Sequence, residues 1–148
     1  MGYVESNLMS GEKIIRISKL HWAIFIWPII WVILGILFIA VPILGGFFIL
    51  IGVVTLLLAF IDYSTSEFGV TDKRVIAKLG FIRRTSLEIL HTKVESIQVD
   101  QSIMGRLLGF GTIIVRGTGG SKDPFRKIPD PMEFRKIVQE QVANTQSS

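Results

Sequence analysis

The side chains in this chain that could do chemistry are few. There are two histidines, His21 and His91, and no cysteine. Without thiols the chain can form no disulfide, no thiolate metal site and no cysteine nucleophile. Neither histidine has a second histidine or a carboxylate at ligand spacing, so no metal site is expected. His21 stands at the edge of an apolar block, where an amphipathic ring is comfortable. His91 falls at a strand end. Gly117-Thr118-Gly119-Gly120 is glycine-rich, but it follows a strand and leads into no helix, which favours a turn over a phosphate cradle. Nucleophile-elbow and paired-carboxylate patterns do not occur. The expectation is a protein that is not an enzyme and needs no cofactor or small-molecule substrate.

The basic side chains carry more information. Lys73 and Arg74 sit at a first hairpin turn, and Arg83 and Arg84 follow shortly after. All four are candidate contacts for anionic lipid or for a partner. A basic residue near an anionic leaflet contributes about 1 kcal/mol. The group could form a specific headgroup pocket, supply general surface attraction, or be a plain solvated face. The net charge of +4 is modest. A positive-inside bias accounts for it, so no nucleic acid is implied.

What must position these residues begins with one apolar block. From Leu20 to Ile61, 42 consecutive residues contain no Asp, Glu, Lys or Arg. The mean hydropathy of +0.53 comes from this block. A single straight helix of that length would run roughly 63 Å, twice a hydrocarbon thickness of about 30 Å. Two spans fit, about 21–40 and about 43–61, with a reversal at Val41-Pro42-Ile43-Leu44-Gly45-Gly46. A signal peptide has a much shorter apolar region, and a soluble helix would show a polar face. Pro28 is expected to kink the first span. Gly45, Gly52 and Ala59 recur every seven residues on one face of the second. They are candidates for close helix–helix packing, or chance in a glycine-rich segment. The reversal carries no charge, whereas Lys13, Arg16 and Lys19 precede the block and Lys73, Arg74 and Lys78 follow it. Both termini are therefore expected in the cytoplasm, with the chain multi-pass in the inner (plasma) membrane. The opening Met1-Gly2-Tyr3-Val4-Glu5-Ser6 fits the loose myristoylation pattern, but two spans gain little from one acyl chain.

Beyond Asp62 the pattern turns to short alternating strands. These are Ser66–Val70, Arg74–Leu79, Phe81–Leu90, Val94–Gln101, Gly111–Gly117 and Phe125–Ile128, with a helical or irregular link at Ser102–Gly109. A closing helix is signalled by Asp130 as cap, Pro131 at the first position, and Phe134, Ile137, Val138 and Val142 on one face. Successive strands and one amphipathic helix give an antiparallel sheet that curls and is plugged by the helix.

Several strings in this region resemble the bacterial pleckstrin-homology-like family of small membrane proteins. They are Tyr63, Glu67 to Ile76, Gly80, Lys93 to Ile97 and Gly105-Arg106-Leu107-Leu108-Gly109-Phe110-Gly111-Thr112, with Gly11-Glu12-Lys13 and His21-Trp22 ahead of them. The resemblance spans nearly the whole chain, and its most specific part is Glu95 to Thr112. It implies an α+β protein: an N-terminal two-helix transmembrane hairpin followed by a PH-like antiparallel β-barrel or sandwich capped by a C-terminal α-helix. Eukaryotic PH domains bind inositol phosphates through basic residues around the first hairpin; here that turn is short and sets Asp72 beside Lys73.

The expected division is 1–19 as a cytoplasmic lead-in, 20–61 as the hairpin, 62–143 as the PH-like domain and 144–148 as a flexible tail. The expected function is a membrane-anchored, non-enzymatic interaction module that binds a protein partner, itself, or the inner-leaflet surface. Two alternatives are an anionic lipid headgroup sensor and an accessory subunit of a membrane transport or assembly complex, the latter suggested by the glycine face and Pro28.

Overall fold

The first strand is one that no local pattern announces. In the computed structural model, which describes residues 2–80 and 84–148, Ile14–Lys19 (β1) is a sheet strand rather than a loose lead-in. It follows a single helical turn, Tyr3–Ser6 (α1). Its partner is Glu67–Thr71 (β2), with Lys19 opposite Glu67 and Ile17 opposite Gly69. That partner lies some fifty positions downstream. A strand so short, with Arg16 and Lys19 in it, is fixed by pairing and not by its own composition.

Between β1 and β2 the chain leaves the sheet and returns. A 3₁₀ turn at Trp22–Phe25 leads into Ile26–Leu37 (α2), and Pro42–Thr65 (α3) brings the chain back. The hairpin is thus inserted into the domain and does not stand in front of it. Pro28, expected to kink the first span, falls just after the change from 3₁₀ to α-helix. It occupies the first turn, where backbone amides have no intrahelical acceptor and a missing N–H costs nothing. At 24 residues, α3 is about 36 Å long and is the one helix among the described residues long and apolar enough to cross a membrane. The apolar helical stretch Trp22–Leu37 is shorter.

Arg74–Leu79 (β3) and Thr85–Leu90 (β4) complete an antiparallel sheet in the order β1-β2-β3-β4. Val94–Asp100 (β5), Phe110–Gly117 (β6) and Lys122–Pro129 (β7) form a second antiparallel sheet, with Ile103–Leu108 (α4) between β5 and β6. Pro131–Ser147 (α5) ends the chain and continues as helix through the residues expected to be a tail. Its cap differs from expectation. Asp130 is left-handed (φ 47°) and makes no side-chain cap bond. Its amide donates to Gly109 and its carbonyl accepts from Phe134.

One core joins both sheets and α5. Phe68 and Phe125 meet edge-on across it at 5.8 Å. Val70, Ile113, Val115, Ile128, Phe134 and Val138 are fully buried around them. Each such aliphatic or aromatic side chain contributes about 1.5–3 kcal/mol by leaving water. The result is an α+β fold of two antiparallel sheets with a C-terminal helix, consistent with the PH-like class.

Candidate functional site

The register of the first sheet separates the four basic candidates. β1 runs toward the hairpin, β2 away from it, and β3 back toward it. The β2–β3 turn with Lys73 therefore lies at the end of the sheet remote from the hairpin. Strand rise of about 3.3 Å per residue puts it roughly 15 Å from Lys78, at the hairpin end. Lys73 is exposed there, and its Nζ reaches the Ser10 carbonyl at 3.4 Å. Arg84 is exposed just before β4, at the hairpin end, and Arg83 lies outside the described residues. The candidates do not form one cluster.

Arg74 is not a surface residue. It is 4% exposed, and its guanidinium is consumed inside the domain. Nε and Nη2 donate to the two Glu12 carboxylate oxygens at 3.0 Å each, Nη2 also to the Asn7 carbonyl at 2.6 Å, and Nη1 to Glu88. Arg74 thus ties the N-terminal segment and β4 to the sheet, with four of its five N–H donors engaged inside the domain. The segment is held at two further places. Val4 is fully buried against Gly69, where any larger side chain would collide with it. Glu67 accepts from the Tyr3 and Val4 amides.

Burial alone would raise the Glu12 carboxyl. Donors from Arg74, the Met9 amide and the Thr71 hydroxyl outweigh it and hold the group below its ordinary value. A folded value beneath that of an unfolded Glu, near 4.3, means the stabilisation is complete at neutral pH. It drains away as pH falls through the depressed folded value. Acid titration followed by limited proteolysis should therefore release the first dozen residues only at a pH beneath the ordinary glutamate range. Glu12→Gln should weaken the attachment at neutral pH and flatten that acid limb; an unchanged acid profile would contradict the assignment.

The small residues on α3 have a partner within the chain. Gly45, Gly52 and Ala59 are its buried positions. A Cβ on Gly45 would stand 2.8 Å from the Phe38 carbonyl oxygen, and one on Gly52 the same distance from the Val32 amide nitrogen. Gly35 of α2, which the heptad spacing does not reveal, closes the seam from the other side, 2.8 Å from the Ile49 nitrogen. The small-residue face of α3 packs against α2 of the same chain.

At the hairpin end the structure places two lysines that sequence reasoning did not single out. Lys19 and Lys78 border a cavity of about 380 Å³ together with Glu67 and the Ser64, Thr65 and Ser66 segment. Lys78 also lies over the Tyr3 ring at 5.1 Å. Neither lysine has an ion-pair partner among the described residues. They share that end because both stand opposite Glu67, Lys19 from β1 and Lys78 from β3. His91 is fully buried and bonds the Thr71 carbonyl at 2.7 Å, a structural contact. Among the described residues no three acidic or histidine side chains converge as metal ligands.

What the arrangement offers is surface: an apolar hairpin rooted in one end of a two-sheet domain. Comparison with curated proteins produced no match. The bacterial PH domain family matches residues 15–142, from β1 through most of α5 and including the inserted hairpin. The match covers most of the chain, and with the two-sheet fold closed by a terminal helix it shows that this protein belongs to the bacterial PH domain family.

Proposed function

We propose that this protein is a membrane-anchored, non-enzymatic interaction module whose hairpin, residues 20–66, holds the PH domain at the inner leaflet. One observation carries the reading. The hairpin leaves β1 and re-enters β2, which are hydrogen-bonded neighbours, so both its ends lie on the same side. If α3 crosses a bilayer, the α2 segment must bring the chain back. The outer faces of both helices support this. Trp27, Ile33, Leu37, Leu50, Leu57 and Phe60 are all more than half exposed, which in water would be a large apolar surface without cover. The tip, Phe38–Gly46, has no charged side chain, whereas Lys19, Lys78 and Arg84 lie at the hairpin end of the sheet. That asymmetry favours a cytoplasmic domain.

Carbonate-washed membranes should retain the full-length protein, and a C-terminal tag should resist protease added outside intact cells. Release into the supernatant, or shaving of the tag, would refute anchoring or orientation respectively.

The cavity bordered by Lys19 and Lys78 favours a second reading, recognition of an anionic lipid headgroup. Replacing both lysines with alanine should then reduce co-purifying anionic lipid more than replacing Lys73 and Lys93. Equal losses would reduce the effect to general surface attraction.

A further inference from the structure

The most specific string in the sequence, Gly105 to Thr112, is only partly explained by packing. Gly105 faces inward, where any Cβ would strike the Phe110 carbonyl, and Gln101 Nε2 bonds both the Gly105 and Phe110 carbonyls. Gly109 ends α4 in the left-handed region (φ 81°), which favours glycine. Gly111 makes room for Pro131. Leu107 has no such account. It is 79% exposed, and Ile103, four residues earlier on the same face, is 82% exposed. Met104 and Met132 beside them are each more than half exposed. The inner face of α4 is glycine and the outer face is large and apolar, which inverts the usual economy of a surface helix.

The position of α4 points to the occupant. Residue 108 adjoins His21, which caps the 3₁₀ turn at the start of the hairpin, and the His21 ring lies 5.3 Å from Phe110. The His21 amide donates to the Lys127 carbonyl at 2.8 Å, and Lys127 Nζ sits 4.4 Å above the Phe110 ring. Trp22, half exposed next to His21, stands where an interfacial aromatic marks the headgroup level. The β5–β6 connection is therefore at the hairpin root, and Ile103 and Leu107 are exposed on it. Arg106 is exposed between them.

We propose that α4 is a second foothold on the membrane: Ile103, Met104 and Leu107 enter the headgroup region of an anionic leaflet, with Arg106 at the surface. The pattern of apolar side chains flanked by a basic one fits an interfacial helix. The inference rests on the hairpin being membrane-embedded, and it adds a fixed orientation. Held at the hairpin and again at α4, the domain is pinned in one pose and presents its remote end, with the β2–β3 turn, to the cytoplasm.

The absence of cysteine makes the test direct. Single cysteines at Leu107, Ile103, Leu50 and Ser121, each carrying an environment-sensitive fluorophore, are compared in full-length protein in vesicles with anionic lipid. Labels at Leu107 and Ile103 should shift to the blue and lose intensity to brominated lipid, as the Leu50 label should, while Ser121 at the far end of β6 stays in water. Quenching at Leu50 but not at Leu107 or Ile103 would overturn the α4 foothold and leave anchoring intact. No quenching at Leu50 would overturn anchoring itself, and the foothold with it. A Leu107 label that shifts to the blue with protein density but is not quenched by brominated lipid, while the Leu50 label is quenched, would assign the face to a second copy and overturn the proposal.

Discussion

Arg74→Ala should unfold the domain at a markedly lower temperature than any other single change to a basic residue. The guanidinium is 4% exposed and makes four hydrogen bonds, two of them a fork on the Glu12 carboxylate. The Glu12 side chain is wholly buried. Deleting Arg74 leaves it with the Met9 amide and the Thr71 hydroxyl and no compensating charge. Removing one member of a buried pair typically costs about 3–5 kcal/mol, much of it the penalty of stranding the other. At roughly 2–4 °C per kcal/mol for a chain of about 150 residues, the melting temperature in nanodiscs should fall by about 6–20 °C. Lys73→Ala, one position earlier but exposed, should stay within about 0.5 kcal/mol of the wild type. Arg74→Lys should fall between, because an ammonium cannot reproduce the planar fork. Equal melting temperatures for the Lys73 and Arg74 variants would show that Arg74 is not the clasp described.

The second large effect is expected from Gly52→Leu. A Cβ at Gly52 stands 2.8 Å from the Val32 nitrogen and 3.2 Å from its Cα. Those are backbone atoms and cannot swing aside, so α2 and α3 must separate. Overpacking in a tight seam typically costs 1–3 kcal/mol, and a leucine against backbone should reach about 3 kcal/mol or more. Because the helix ends continue into β1 and β2, the strain reaches the Lys19–Glu67 pairing. Gly46→Leu is the control. It adds the same mass six residues away on the same helix, where a Cβ meets nothing within 4 Å. Protease resistance and thermal stability should drop for the Gly52 variant and not for the Gly46 variant. Matching behaviour would mean the seam does not depend on small residues.

Both expectations correct the sequence reading in the same direction. Arg74 reads as a surface cation because its strand neighbours say nothing about Glu12, 62 positions away. The unbroken apolar run Val75-Ile76-Ala77 would have hinted at a strand buried on both faces, and the N-terminal segment is what covers the second one. Likewise, seven-residue spacing marks Gly45, Gly52 and Ala59 as one face but cannot say whether the facing helix belongs to the same chain.

By itself, the sequence determined that an uncharged 42-residue block folds back on itself, that β-rich segments follow it, and that an amphipathic helix closes the chain. These are local properties, written in composition, periodicity of two or of 3.6, and turn residues. Only the tertiary structure decided that Ile14–Lys19 belongs to the sheet, that the hairpin is an insertion between adjacent strands, and that Lys19 and Lys78 share one end of the domain. Pairing across some fifty residues leaves no periodic trace in either partner, because the hydrogen bonds that select it are made by backbone atoms common to every residue.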